Sequence, residues 1–511
     1  MLDQKRFLNQ DLVLEVSKNI DPAVFNMDKY EGFVDALCGE RNYQKEAIKT
    51  TLRYMLGGQY KNITELAEEN YNSNDKLRDL YGSFTEMKRH LQLPDKLSCS
   101  IDLGTGTGKS YVIYGIARIM LAEGAVDHVL VVCPSTTIEA GLMEKFKLLS
   151  GDETLRSLLP GGSVIKNPHI INATESITTG TICVENCHAL YEHVKSSIRE
   201  SLSMKGDRTL VVNDETHHVY NQTGKDFKKW KEFLLDEDFD FRYVTGLSGT
   251  CYIKDEYFTD VICRYSLREA IEDGFVKSID YVAQDTSNTQ NEKFQKIYDN
   301  HIENKNTKYR MVKPLTILIT KDIRACNKLT TDLIHFLSER EGISEEDAAK
   351  KVLEVTSSPK HKENVRKLQD VDRKDSPVEW ITSVSMLTEG WDVKNVFQIV
   401  PHEERAFDSK LLIAQVLGRG LRIPELYLGQ KPVVTVFNHD RWSGRIKHLV
   451  DEVLEIENRI YSYPVKKKPD YNFIIHNIDY AKLAETEEYK QEKEYEFKKR
   501  FYYTHQTGSC S

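Results

Sequence analysis

The chain contains Ser100-Ile101-Asp102-Leu103-Gly104-Thr105-Gly106-Thr107-Gly108-Lys109-Ser110, which joins an apolar, alternating segment to a run with helical periodicity, Tyr111 to Leu121. Glycines that alternate with threonines let the backbone turn with its N–H groups facing inward. The start of a helix adds the positive end of its dipole. This pattern is typical of a phosphate-binding loop, in which Lys109 contacts the β and γ phosphates and the Ser110 hydroxyl contacts Mg²⁺.

The alternative is an ordinary glycine-rich turn. The strict phosphate-loop pattern requires a glycine where this chain has Leu103, so its first position is not met. The context, with a strand before the loop and a helix after it, nevertheless favours a triphosphate site. The residues predicted to bind ATP here are Gly104, Thr105, Gly106, Thr107, Gly108, Lys109 and Ser110.

Composition limits the class of protein. The chain has 511 residues, of which 40% are hydrophobic and 29% charged, which is typical of a globular protein with about three domains. No apolar run approaches the roughly 20 residues that span a bilayer, and Met1 to Gln10 is too polar for a signal peptide. The nine cysteines are spaced without a disulfide or zinc framework, which indicates free thiols in a reducing compartment, so we predict a cytoplasmic protein. Because no apolar run is long enough to span a bilayer, we also predict no membrane partner. The net charge of −9 neither indicates nor excludes a local nucleic-acid groove.

A second apolar run, His128 to Cys133, predicts a strand buried on both faces. It is followed by Pro134, Ser135 and Thr136, which would lie at the carboxyl edge of a parallel sheet, where such folds bind ligands. An ordinary helix N-cap uses the same residue types, so this interpretation stays open.

A third apolar strand, beginning at Thr209, ends in two adjacent carboxylates, Asp214 and Glu215. Paired with the phosphate loop, Asp214 is predicted to hold Mg²⁺ and Glu215 to orient or deprotonate the attacking water. The alternative is a solvated turn at the end of a strand.

Two further positions are weaker candidates. Gln44 has an amide that could read the edge of adenine, although a lone glutamine is more often solvated. The segment Ser248-Gly249-Thr250 follows another strand, and its hydroxyls could link hydrolysis to movement, although a plain turn uses the same residues.

The second half of the chain again alternates strands and helices, with strands predicted at 314–320 and from Ile381. The helical run Leu411 to Arg422 places Gln415, Arg419 and Arg422 on one face. Arginine fingers stabilise the charge of a transferred phosphoryl group, so Arg419 and Arg422 are predicted to be catalytic. Surface ion pairing is the alternative.

Taken together, these motifs resemble those of a superfamily 2 DExH helicase motor, and most closely those of the helicase subunit of type III restriction enzymes. The most specific stretches are Thr105 to Val112, Asn213 to His218, Ser385 to Asp392 and Leu411 to Pro424. The resemblance implies an α/β fold of two tandem RecA-like domains, each a parallel sheet flanked by helices, with a short helical C-terminal extension. The predicted bounds are 1–35 for an N-terminal segment, 36–275 and 276–450 for the two domains, and 451–511 for the extension.

The resemblance also implies roles for individual residues, with ATP and Mg²⁺ between the two domains. By these roles Gln44 reads adenine, and Lys109, Ser110, Asp214 and Glu215 carry out hydrolysis. Asp392 and Gln415 line the cleft, Arg419 and Arg422 are the fingers, His217, Ser248 and Thr250 couple hydrolysis to the strand, and Pro134, Ser135 and Thr136 contact nucleic acid.

Type III restriction subunits continue into a nuclease domain, whereas this chain ends at Ser511. Pro469-Asp470 and Glu488-Tyr489-Lys490 match the order of a metal nuclease motif, but Tyr480 to Phe501 has the pattern of a charged helix rather than a strand. We therefore predict no nuclease activity of its own.

The predicted function is an ATP-dependent translocase or helicase acting on double-stranded DNA in restriction-modification or phage defence. One alternative is an ATP-gated subunit that recruits a nuclease or methyltransferase partner. Another is an RNA-directed DExH ATPase, which shares every motif.

Overall fold

The computed structural model describes residues 6–191, 196–221, 225–253, 256–285, 289–356, 358–384, 393–402, 420–439 and 459–460. Several predicted features lie outside these ranges: Asp392, Gln415, Arg419, the two nuclease-like motifs and almost all of the C-terminal extension.

The described strands and α-helices are numbered here in chain order. The strands are β1 (Arg6–Phe7), β2 (Leu97–Leu103), β3 (His128–Cys133), β4 (His169–Ile171), β5 (Thr181–Asn186), β6 (Thr209–Asp214), β7 (Tyr243–Ser248), β8 (Tyr252–Ile253), β9 (Glu256–Tyr257), β10 (Val261–Tyr265), β11 (Ser278–Asp285), β12 (Leu315–Thr320), β13 (Val352–Val355), β14 (Trp380–Val384), β15 (Val396–Pro401), β16 (Val433–His439) and β17 (Arg459–Ile460). The helices are α1 (Glu31–Cys38), α2 (Asn42–Leu56), α3 (Ile63–Ser73), α4 (Asp75–Tyr81), α5 (Phe84–His90), α6 (Lys109–Ala122), α7 (Thr136–Gly151), α8 (Glu153–Ser157), α9 (Ile198–Leu202), α10 (His217–Asn221), α11 (Lys225–Leu235), α12 (Leu267–Glu272), α13 (Gln290–Glu303), α14 (Ile323–Glu341), α15 (Glu345–Lys351) and α16 (Lys362–Lys367).

Seven strands form the first sheet, in the order β10-β2-β7-β6-β3-β5-β4. Every pairing between them is parallel. Strands β2, β3, β6 and β7 are buried along their whole length, as the continuous or alternating apolar runs predicted. Because parallel strands end at the same edge, the loops after β2, β6 and β7 come together there.

Six strands form the second sheet, in the order β11-β16-β15-β12-β14-β13, again with parallel pairing. Helices α13 and α14 pack an apolar core against it, which includes Phe294, Leu333 and Trp380. The predicted α/β fold with two tandem parallel sheets flanked by helices is confirmed.

Local sequence explains where the helices near the site begin. Gly108 has a left-handed backbone, with φ of +81°, which lets the chain turn sharply into α6 at Lys109. Ser135 caps α7, because its hydroxyl accepts a hydrogen bond from the amide of Ile138 at 3.4 Å. Helices α3 to α5 lie between α2 and β2 in the chain. No helix in the described part of the chain is both long and apolar enough to cross a bilayer.

Candidate functional site

The glycine-rich loop closes on itself between β2 and α6. Thr107 donates to the carbonyl of Gly104 from both its side-chain hydroxyl, at 2.6 Å, and its amide, at 3.2 Å. Gly106 and Gly108 have φ values of +86° and +81°, a region that disfavours residues with a Cβ. The loop therefore has the backbone freedom that a phosphate-binding turn needs, even though Leu103 replaces the first glycine of the strict pattern.

The two carboxylates after β6 lie beside this loop. The Lys109 ammonium donates to Glu215 Oε1 at 2.8 Å, although the two residues are 106 positions apart. Asp214 is buried, at 7% exposed. Glu215 has a left-handed backbone, with φ of +51°, a conformation that costs a residue other than glycine about 1–3 kcal/mol and that is concentrated at functional sites. The structure thus joins the predicted phosphate loop and the predicted carboxylate pair into one site.

Burial and mutual electrostatic interaction determine the charges of Lys109, Asp214 and Glu215. Burial raises the pKa of Asp214, and the neighbouring Glu215 raises it further. Burial also favours the neutral form of Glu215, but Lys109 and His217 outweigh this effect and lower its pKa overall. For Lys109, burial opposes the charge, whereas Glu215 and Asp214 raise its pKa. At neutral pH Glu215 is therefore an anion and Lys109 a cation.

The three predicted coupling residues form one hydrogen-bonded cluster. His217 Nδ1 lies 2.8 Å from the Ser248 hydroxyl and 3.3 Å from that of Thr250, and the two hydroxyls are 3.2 Å apart. The same nitrogen lies 3.5 Å from Glu215 Oε2, so the cluster adjoins the carboxylate that is predicted to be catalytic. Burial lowers the pKa of His217 to about 3, so its imidazole is neutral. Its Nε2 is buried and has no hydrogen-bond partner among the described residues.

Gln44 is not solvated but is buried against the phosphate loop. Its amide nitrogen donates to the carbonyl of Thr107 at 2.6 Å, and its side chain is 1% exposed. Its Oε1 is buried and has no hydrogen-bond partner within the described part of the chain. Solvation, the alternative for this residue, is thus excluded, and adenine recognition stays a prediction.

Sequence reasoning gave Tyr43 no role of its own. Its hydroxyl donates to the carbonyl of Thr107 at 2.8 Å, and its ring stacks on Tyr265 at 3.9 Å between centroids. Phe275 packs edge-on against the same ring, at 5.3 Å. An aromatic residue directly before Gln44 was the only signal in the sequence that could have indicated this contact.

A second group that sequence reasoning missed lies under the loop on β2. The buried Asp102 carboxylate accepts from the Tyr257 hydroxyl at 2.8 Å and faces the Arg264 guanidinium at 3.2 Å. These partners come from β9 and β10, more than a hundred residues later. They tie the strand that carries the phosphate loop to the next strand of the sheet.

The remaining predicted residues are less constrained. Ser135 caps α7, as the N-cap alternative proposed, so the nucleic-acid role of Pro134, Ser135 and Thr136 stays a prediction. Arg422 forms an antiparallel backbone bridge with Val276. Asp392, Gln415 and Arg419 lie outside the described residues, so their roles also stay predictions.

The oxygen ligands of the site fit a magnesium ion that phosphate also contacts. Mg²⁺ is usually held by one or two carboxylates, water and substrate phosphates rather than by a full protein cage. Asp214 and Ser110 offer a carboxylate and a hydroxyl beside the loop. Within the described ranges, no group of three or more His, Cys, Asp or Glu side chains is arranged to hold a metal ion.

The site thus combines a glycine-rich loop after β2 with an adjacent carboxylate pair after β6, and β7 separates these two strands in the first parallel sheet. A second parallel sheet follows later in the chain. Residues 38–253 match the family model described as "Type III restriction enzyme, res subunit". This match confirms the resemblance that the motifs indicated. It covers the phosphate loop, both carboxylates and the coupling residues.

Three solved structures are also similar to the chain. Dbp5 of S. cerevisiae bound to RNA and ADP BeF3 is 17% identical, with a TM-score of 0.45, over 82% of this chain and 93% of that chain. The Mycobacterium smegmatis helicase Lhr bound to ssDNA and AMP-PNP is 15% identical, with a TM-score of 0.48, over 80% of this chain and 51% of that chain. The ATP-dependent Type ISP restriction-modification enzyme LlaBIII bound to DNA is 12% identical, with a TM-score of 0.44, over 81% of this chain and 29% of that chain. No curated protein sequence matches the chain.

Proposed function

We propose that this protein is a nucleic-acid-dependent ATPase that uses ATP hydrolysis to move along double-stranded DNA. The observation that carries the proposal is the contact of 2.8 Å between the Lys109 ammonium of the phosphate loop and the Glu215 carboxylate after β6. It brings a phosphate-binding cation and a carboxylate suited to water activation into one buried site. The match to a restriction-enzyme res subunit supports DNA as the substrate.

In this proposal Lys109 exchanges its contact with Glu215 for the β and γ phosphates when ATP binds. Glu215 is then released to accept a proton from the attacking water. Ser110 and Asp214 would hold Mg²⁺, which neutralises charge on the phosphates. Arg419 and Arg422 donate to the transferred phosphoryl group, and Gln44 accepts from the adenine amino group through its unpaired Oε1.

His217, Ser248 and Thr250 provide the route from hydrolysis to movement. Because His217 touches Glu215 and both hydroxyls, a change at the carboxylate reaches the end of β7 through one hydrogen-bonded step. Pro134, Ser135 and Thr136 are proposed to contact the sugar-phosphate backbone at the end of β3, which pairs with β6.

The domain bounds are also proposed. The strands of the first sheet end at Tyr265 and those of the second begin at Ser278, which supports a boundary at 275/276. The eight described cysteines are free thiols, which supports the cytoplasmic location. The biological role is proposed to be restriction-modification or phage defence, with a methyltransferase or nuclease as partner.

The test is the ATPase rate of the purified protein alone, with double-stranded DNA, with single-stranded DNA and with RNA. Lys109→Ala is the blank, because it removes the phosphate cation. Stimulation by double-stranded DNA that is absent from the blank would support the proposal. Stimulation by RNA alone would replace DNA with RNA as substrate, and a rate equal to the blank under all conditions would refute the ATPase.

The variant Glu215→Gln separates a motor from an ATP-gated recruitment subunit. With ATP present, a motor carrying this change should bind DNA and fail to displace a streptavidin or triplex-forming roadblock. If the wild type also displaces no roadblock while it hydrolyses ATP, movement along DNA is refuted and recruitment of a partner becomes the better account.

A further inference from the structure

Lys277 is a fully buried lysine, with 0% of its surface exposed, directly before β11. Its ammonium donates three hydrogen bonds to backbone carbonyls: to Lys394 at 2.7 Å, to Val396 at 2.6 Å and to Gly420 at 3.0 Å. An ammonium has three N–H groups, so every donor is used. No part of the predicted ATP chemistry assigns a role to this residue.

The groups around the Lys277 Nζ favour the charged ammonium form. The ammonium lies 4.3 Å from the centre of the Phe397 ring, within the range of a cation–π contact. Burial lowers the pKa of Lys277 well below its usual value, while Asp372 acts in the opposite direction. A neutral amine would turn its lone pair towards one of three carbonyl oxygens, so the geometry of the acceptors favours the ammonium.

A buried charge is a costly way to obtain stability. Replacing buried ionic groups by apolar residues of similar volume is often neutral or stabilising. The arrangement around Lys277 is therefore better explained by what it positions than by the stability it adds.

The positioned segment adjoins the predicted arginine fingers. Besides the bond to the carbonyl of Gly420, the Lys277 amide donates to the carbonyl of Leu421 at 2.7 Å. Val276 forms a backbone bridge with Arg422. Residues 276–277 thus bind three consecutive residues, Gly420, Leu421 and Arg422, the first of which follows Arg419 in the chain.

The other two carbonyls come from a rigid part of the second sheet. Lys394 and Val396 lie at the start of β15, an interior strand buried along its whole length. Asp372 fixes the same turn, because its carboxylate accepts from the amides of Lys394 at 2.7 Å and Asn395 at 3.0 Å. The ammonium therefore links the segment Gly420–Arg422 to the backbone at Lys394 and Val396, next to and within β15 of the second sheet.

We propose that Lys277 is a positioning residue for ATP hydrolysis: its ammonium holds the backbone at Gly420–Arg422 so that Arg422 reaches the transferred phosphoryl group. This inference rests on the proposed function. A displacement of about 1 Å in a catalytic group can reduce a rate about a hundredfold, so the effect belongs in kcat rather than in ATP binding.

The test compares Lys277→Met with a matched control, Lys313→Met. Lys313 is a half-buried lysine just before β12, and its ammonium donates to the carbonyl of Ser376 at 2.7 Å. Steady-state ATPase at saturating nucleic acid should show a loss of about a hundredfold in kcat for Lys277→Met, with KM for ATP within about twofold of wild type. The control should stay within about twofold in both constants.

A double-mutant cycle separates positioning from general damage. In a background of Arg422→Ala, Lys277→Met should lower the residual kcat by less than about threefold, since the group that it positions is gone. A full hundredfold loss in that background would overturn the proposal. So would an unchanged kcat in the single variant.

If circular dichroism and thermal unfolding show that Lys277→Met does not fold, Lys277→Gln replaces it in the kcat measurement. Its amide can still donate two hydrogen bonds, and a folded Lys277→Gln should lose at least about tenfold in kcat. Wild-type kcat in that variant would overturn the proposal. A wild-type protein no more active than Lys109→Ala would overturn the proposed function as well, whereas an active wild type with unaffected Lys277 variants would overturn this inference alone.

Discussion

Replacing Lys109 with methionine in the absence of nucleotide tests whether the ion pair at the centre of the site forms as described. The change keeps the aliphatic stem and removes the ammonium that lies 2.8 Å from Glu215 Oε1. The Lys109 and Glu215 side chains are only 11% and 22% exposed, so solvent replaces the lost contact poorly. The Glu215 carboxylate would be left charged and largely buried.

The size of the effect follows from the distance and the burial. Two unit charges 2.8 Å apart attract by about 6 kcal/mol at an effective dielectric constant of about 20. Desolvation of both groups offsets much of this, and breaking one partner of a buried pair costs about 3–5 kcal/mol. Because Glu215 keeps partial access to water, we expect about 3 kcal/mol for Lys109→Met. The double variant with Glu215→Gln should recover about 2 kcal/mol of this loss, since it leaves no unpaired charge.

The assay is urea denaturation of the wild type, the two single variants and the double variant, without nucleotide. Trp230 provides a local fluorescence signal, since its indole donates to the Asn213 side chain at 2.9 Å on the strand that carries the carboxylates. Additive losses, with a coupling energy below about 0.5 kcal/mol, would refute the reasoning. That result would mean that Lys109 and Glu215 do not interact in the nucleotide-free protein.

Gly246→Ala should lower the free energy of unfolding by about 1–3 kcal/mol, because its new Cβ would lie 2.5 Å from the Thr216 hydroxyl in the core of the first sheet. The control is Gly141→Ala on α7. A Cβ there would have nothing within 4 Å, so this change should be neutral or slightly stabilising. Equal effects in urea denaturation would contradict the packing described. Burial raises the pKa of Asp260 from 3.8 to about 6, so between these values the folded protein keeps a proton that the unfolded chain has lost, and stability falls as pH rises. Asp260→Asn should therefore gain about 2.4 kcal/mol relative to wild type between pH 4 and pH 7, and a difference that does not change with pH would show that this carboxyl is not perturbed.

Part of the site could be predicted because its chemistry is local. Within Ser100 to Ser110, the strand, the glycine-rich turn and the start of the helix can each be predicted from local sequence. Glycines with positive φ followed by a lysine at the start of a helix are a combination with few structural uses other than binding phosphate. The same holds for β6, whose buried run ends in Asp214 and Glu215. In both places the residues that determine the structure are also those that carry the function.

Contacts between distant segments could not be predicted in this way. Gln44 was assigned to adenine or to solvent, yet its amide binds the loop carbonyl of Thr107. Asp102 lies in the strand before the loop, and nothing in the local sequence indicates its partners Tyr257 and Arg264. Contacts between residues far apart in the chain depend on which strands become neighbours in the sheet. The short-range periodicity of the sequence does not predict the order of the strands.

What the sequence alone determined was the class of the protein: two α/β halves, a phosphate loop, a carboxylate pair and the family that they resemble. The tertiary structure decided how these parts meet. Strand order β2-β7-β6 brings Lys109 to Glu215 and His217 to Ser248, and the packing of β15 against the segment before β11 buries Lys277 among three carbonyls. The physical reason is that turn geometry and periodicity act within a few residues, whereas burial and buried charge pairing are properties of the assembled fold.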